Sequence, residues 1–226
     1  IYDSWGVVGG LGSEINIASS LVDANVGRGV VVSFLATQLE MVGSIIRDTQ
    51  VTDSGEEGVG ILAGWAAEAE IRMSLISNNN TTGVMSYGVG TSVLMSECAV
   101  TNTRGGGMWV PQLSGTLDFL IYGDGVLATD EGRLDLVGSL VTRNDRTGIF
   151  YSESSGSVSE SVITLNESYG LAVGNCAESV ETDDPLNQIE GNAFGLPETM
   201  AKQFTTNPEG LPVPEIPEID LGEAQE

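Results

Sequence analysis

One unit recurs along this chain: a glycine, an aliphatic strand, a second strand, a small residue with two aliphatics after it, then Asn or Thr shortly before the next glycine. Five copies close with the same spacing, Asn25 to Gly29, Asn79 to Gly83, Thr103 to Gly107, Asn144 to Gly148 and Asn166 to Gly170. A repeat of roughly 20–30 residues with a strand period of two predicts a stacked β-solenoid, because a single unit cannot bury its apolar face alone. With 226 residues and 41% hydrophobic content the chain can bury a core, and it counts as one array rather than two globular domains.

Two marks set the expected register. The glycines that open the coils are Gly6, Gly29, Gly60, Gly83, Gly107, Gly125, Gly148 and Gly170, with Gly58 as an alternative to Gly60. The small residues after the second strand are Ser20, Ser44, Ser74, Cys98, Ser139 and Ser161, with Tyr122 in one irregular coil. Three residues before each mark stand Ile17, Met41, Ile71, Met95, Phe119, Leu136 and Val158, and an aliphatic pair such as Ile45-Ile46 or Leu140-Val141 follows it. Side chains alternate across a strand, so columns kept apolar from coil to coil are predicted to face inward. The asparagines are predicted to form a turn ladder, whose stacked amides bond along the axis.

Together with the closing segment from Asn187 to Asn192, these strands and turns resemble right-handed parallel β-helix proteins of the pectin lyase-like superfamily. The resemblance implies an all-β right-handed parallel β-helix of about eight coils over residues 1–195, with its N-terminal cap missing. Residues 196–226 depart from it: Pro197, Pro208, Pro212, Pro214 and Pro217 stand among glutamates, as expected of an extended tail or linker. The superfamily spans lyases, hydrolases, epimerases, adhesins and inert stalks, so the likeness fixes fold more sharply than function.

Charge narrows the partners. The formal net charge is −24, from 32 acidic residues against 8 basic ones. Such a surface repels nucleic acid and anionic lipid headgroups. No run approaches the ~20 apolar residues of a membrane span. Cys98 and Cys176 are too few for a disulfide framework and stand on the order of 19 Å apart by coil count, beyond disulfide reach. An extracellular or cell-surface location therefore rests on the resemblance and the acidity.

Histidine is absent, which removes Ser-His and Cys-His nucleophile systems and His-based metal sites. Polygalacturonase-like relatives share an aspartate pair, a Gly-His-Gly and an Arg-x-Lys; here only Asp183-Asp184 matches, and it reads more plainly as a solvated turn before Pro185. Pectate-lyase-like relatives use carboxylates on Ca²⁺ and an arginine base, whereas the seven arginines here are scattered over different faces. One outward column does gather carboxylates: Glu40 and Glu70 are expected as neighbours about 4.8 Å apart, and so are Asp118 and Asp135. Carboxyl pairs near ~5 Å suit a retaining glycosidase, and like charges that close attract a cation such as Ca²⁺. The plainer alternative is solvated strand faces.

A second outward column is apolar: Val8, Val31, Leu62, Met85, Trp109, Leu127, Phe150 and Ala172. Either the alternation is out of phase by one, or the proline-rich tail or a missing segment covers the column, or it is a binding face with Trp109, Phe150 and Tyr151 as a sugar-stacking or protein-docking platform. The expectation is that the tail covers at least part of it. The reading reached from sequence is a non-catalytic β-helix domain of a secreted or cell-surface bacterial protein, a stalk or a glycan- or protein-binding module without a cofactor. Its rival is a polysaccharide lyase or glycosidase acting through Glu40, Glu70, Asp118 and Asp135.

Overall fold

The computed structural model describes residues 4–53, 55, 57–111, 117–174, 180–182 and 184–193, with the strand path alone for 106–111 and 117–122. Among the described residues three parallel sheets have seven strands each, and every strand of these sheets pairs with its counterparts one rung away. The first sheet begins with Val7–Gly10 and Arg28–Ser33, the second with Glu14–Ala18 and Gln38–Val42, and the third with Leu21–Asp23 and Ile45–Arg47. A chain that visits the three sheets in turn and then climbs one rung is a parallel β-helix.

The interior is made as the alternation predicts. Val30, Ile61, Val84, Val126 and Ile149 line it from the first sheet, Met41, Ile71, Met95 and Leu136 from the second, and Ile46, Ile76, Val100, Val141 and Ile163 from the third. In the aliphatic pairs of the third sheet the second residue faces the core. The first does not: Leu75, Ala99, Leu140 and Val162 form a separate cluster on the outer side.

The glycine column is a column of close approach. A Cβ on Gly29 would lie 2.5 Å from the Gly60 carbonyl oxygen, and one on Gly60 would lie 2.6 Å from that of Gly83. Gly60, not Gly58, is therefore the stacking residue. The polar turn ladder runs beside it: Thr49 donates its backbone N–H to Asn79 Oδ1 at 3.1 Å, Thr103 to Asn144 Oδ1 at 3.0 Å and Asn144 to Asn166 Oδ1 at 3.1 Å. Asn192 Oδ1 continues it by accepting from Asn166. Buried amides satisfied in this way fix the stacking register, since a slipped rung would leave them unpaired.

The eighth expected coil is not one. Thr82–Tyr87 pairs directly with Asp124–Thr129, so the described residues make seven rungs, and Gly83 meets Gly125 rather than Gly107. Between them Gly106–Pro111 and Leu117–Tyr122 pair antiparallel as a hairpin outside the three sheets. Gly107, Phe119 and Tyr122 therefore leave the columns in which the sequence periodicity puts them. The unit from 106 to 122 lacks the Ser-aliphatic-aliphatic step that makes the third-sheet strand, and a hairpin is what two adjoining strands form without it. The expected tail at 196–226, Cys176 and Asp183 lie outside the described residues.

Candidate functional site

The outer face of the second sheet carries the acidic column. Glu40 and Glu70 are paired across adjacent rungs, as predicted. Leu94 follows on the next rung and Asp135 on the one after it, so Asp135 is separated from Glu70 by an apolar residue. Asp118 is not in the column, because it belongs to the hairpin, opposite Val110. The expected Asp118–Asp135 pair is thereby corrected.

The carboxylates that remain are already engaged. Arg72, two strand positions beyond Glu70, bonds Glu40 and reaches Glu70 Oε1 at 3.2 Å. Arg133 donates to both oxygens of Asp135, at 2.7 and 2.8 Å, and Ser157 Oγ donates to Oδ1 at 2.7 Å. Gln38 Nε2 donates to Glu68 Oε2 at 3.3 Å. Glu40, Glu70, Gln38 and Glu68 line an open depression of about 520 Å³ together with Glu14, Asn16, Ser92 and Leu94, and Asp135 with Arg133 is not part of its lining. Among the described residues no three carboxylates or thiols converge as metal ligands. Among the described residues the fully buried carboxylate is Asp124, which the sequence reading passed over. It accepts from Arg146 Nε at 2.8 Å and from the Thr147 N–H at 3.2 Å, and so fastens the chain where it returns from the hairpin.

The aromatic platform drawn from sequence does not assemble. Tyr151 points inward and is fully buried, and its hydroxyl donates to the Leu134 carbonyl at 2.9 Å. Burial holds its pKa far above the usual tyrosine value. Its neighbour Phe150 faces outward, as alternation demands, with the Arg146 guanidinium 5.5 Å from the ring centroid. Trp109 falls on the hairpin opposite Phe119, and its side chain lies outside the described residues. The apolar outward column exists in the register given, without Trp109: Val31, Leu62, Met85, Leu127, Phe150 and Ala172 follow one another. Val31, Leu62, Leu127 and Ala172 are nevertheless buried, outside the main core cluster. The phase of the alternation is right and the row is covered in part: Val8, in register with Val31, is 56% exposed, and Met85 and Phe150 are half-buried. The tail expected to cover it lies outside the described residues.

Sequence reasoning missed a different aromatic group, at the corner between the first and second sheets. Phe34 and Trp65 stack at 5.8 Å and 20°, and Tyr87 meets Trp65 edge-on at 5.2 Å. Burial first, and then the carboxylate of Asp130, raise the pKa of Tyr87 above its usual value. The available signal was the residue after each first-sheet strand, which is apolar in the early rungs.

Residues 38–196 match the family described as the right handed beta helix region. The chain belongs to this family. Two solved structures are similar to this right-handed β-helix. One is the periplasmic alginate epimerase AlgG, at 15% identity and a TM-score of 0.59 over 77% of this chain and 36% of that one. The other is the pectate lyase Pel9A, at 11% identity and a TM-score of 0.42 over 78% of this chain and 52% of that one. The β-helix thus spans about a third to a half of the length of these proteins. No curated protein matches by sequence.

Proposed function

We propose that this β-helix is a non-catalytic module of a secreted or cell-surface protein, and that it binds a neutral polysaccharide across the outer face of its second sheet. The observation that carries the reading is the state of the carboxylates on that face. A general acid in glycoside cleavage needs a carboxyl group kept away from cations and water, and a lyase base needs a cationic side chain free to reach substrate. Glu40 and Glu70 are exposed and share Arg72, and Asp135 is chelated by Arg133. Every carboxylate of the column itself is thus already held by an arginine.

What remains is a long, open depression rich in carboxylate, carboxamide and hydroxyl groups, suited to hydrogen-bonding sugar hydroxyls. Its negative charge disfavours uronate polymers, which sets it apart in ligand from an alginate or pectate enzyme even where the scaffold is alike. The periplasmic setting of AlgG and the net charge of −24 support a place outside the cytoplasm.

A glycan array read beside reducing-sugar and unsaturated-product assays tests this. Binding to neutral glycans with no product on any of them is the expected result. Product formation, lost in Glu40→Gln or Glu70→Gln, would establish the enzyme reading in its place.

A further inference from the structure

The corner between the first and second sheets is a continuous ridge with two chemically distinct halves. Gly10, Ser33, Gly64, Tyr87, Thr129 and Ser152 are in register across six rungs, so the residues that follow them form a line at the corner. In the first three rungs that line is Leu11, Phe34 and Trp65. In the fifth and sixth it is Asp130 and Glu153, with Glu131 beside them, all exposed. Gly88 stands between the halves, and Tyr87 joins them, packed on Trp65 and close to Asp130.

The second and fourth corners each hold one residue more than their neighbours, as Ser33 and Gln38 are in register with Gly64 and Glu68. The extra positions are apolar and protrude: Leu35 is 76% exposed and Val89 66%, beside Leu11 at 86%. A run of large apolar tips along one edge is what a docking surface offers, and single scattered apolar residues are not.

We propose that this ridge is a docking site for a polypeptide segment whose apolar side chains are followed by a block of basic ones. Charge complementarity selects that occupant. The apolar half is continued by Asp130, Glu131 and Glu153 on a chain of net charge −24, which repels a second copy and an anionic membrane alike. Ring geometry separates the ridge from a sugar platform. Sugar stacking needs an open ring face, and the Trp65 ring has Phe34 stacked on it and Tyr87 against it. Six rungs span about 24 Å, the length of roughly 16 helical residues. The site is separate from the depression on the second sheet and does not depend on the glycan reading.

The test uses the full chain and three dye-labelled synthetic peptides of about that length: one with a Leu/Phe block and a Lys/Arg block, one with the same residues evenly mixed, and one with Glu replacing the basic block. Anisotropy should show the block peptide binding at least about tenfold tighter than either control, with affinity falling as salt is added. Leu35→Ser with Val89→Ser should weaken it about tenfold or more, and Asp130→Asn with Glu131→Gln and Glu153→Gln should remove most of the salt dependence. Unchanged circular dichroism and urea midpoints show that these exposed variants fold. No binding of the block peptide, equal binding of all three, or equal binding to the variants overturns the proposal. So does competition for the ridge by a neutral oligosaccharide or anionic vesicles, or self-association abolished by the Leu35 and Val89 changes. Glycan binding that persists in the same variants keeps the polysaccharide reading independent of the outcome.

Discussion

Tyr151 occupies the space left by the missing side chain of Gly156. A Cβ on Gly156 would stand 2.8 Å from Tyr151 Cε1 and 1.8 Å from the Leu134 carbonyl oxygen. Gly156 is in register with Leu134, a position that is Val93 and Leu39 in earlier rungs, so the core contains one large aromatic where its neighbouring rungs divide the same volume between two aliphatic residues. The pairing also assigns Tyr151 its role: with its hydroxyl bonded to a buried carbonyl, it holds the fifth and sixth rungs together.

Gly156→Ala should therefore be severely destabilising for so small a change. The Leu134 oxygen is backbone and cannot swing aside, so the rungs must part, at a cost of about 1–3 kcal/mol or more. Urea midpoints compared with wild type measure this. A variant of undiminished stability would mean that the Tyr151 pocket is loosely packed.

Ile71 and Leu136 are fully buried in the second sheet, three residues before their serine marks. Replacement of either by Asp places an unpaired charge among aliphatic groups and should cost several kcal/mol out of a total of roughly 5–15. Loss of the cooperative transition, or a large fall in midpoint, is expected. Wild-type stability in either variant would overturn the inward assignment of that column.

Cys98 stands in a ladder of serines. Ser44, Ser74 and Ser139 each donate their hydroxyl to the carbonyl two residues before, and the Cys98 thiol approaches the Ser96 and Ile71 carbonyls, both at 3.3 Å. Burial pushes the Cys98 pKa up, from a usual value of 9.0 to about 11. A group raised in the folded state adds stability that is complete below its unfolded pKa and disappears as pH climbs through the folded one. Wild type should thus lose up to about 3 kcal/mol between pH 9 and 11 from this group. Cys98→Ser should be close to neutral at pH 7 and lose less across that window, as urea midpoints at the two ends would report. Tyr151, raised in the same sense, leaves some alkaline loss in both proteins.

The parts of this molecule that repeat were legible and the parts that interrupt the repeat were not. The glycine column, the Asn and Ser ladders and the inward aliphatics follow from spacing, because stacked rungs must place like beside like. The hairpin at 106–122 was absorbed into the period since Gly107 and Phe119 imitate its marks, and with it Asp118 and Trp109 were given places they do not occupy. Tyr151 was assigned to the surface by chemical type, although its position beside outward Phe150 already turned it inward. The Phe34–Trp65–Tyr87 group escaped notice because Phe34 and Trp65 come from corners, where spacing varies and strand alternation gives no direction, and Tyr87 is the last residue of its strand.

The acidic column offers the remaining prediction. Arg72 lies between Glu40 and Glu70 as their shared cation, so Ca²⁺ would have to displace a guanidinium already bonded to both. Wild-type melting temperature should accordingly be the same in added Ca²⁺ and in chelator, and a rise with Ca²⁺ by mass action would restore a metal-binding role to the column. Arg72→Gln leaves two adjacent carboxylates unneutralised. Because all three groups are well exposed, the loss should be only about 0.2–1 kcal/mol, a fall of at most about 4 °C at low ionic strength. Added NaCl should recover most of that fall by screening the repulsion. A fall that salt does not touch would show that Arg72 acts through the packing of its aliphatic stem rather than its charge, and Glu40 and Glu70 would then be free of the restraint on which the non-catalytic reading depends.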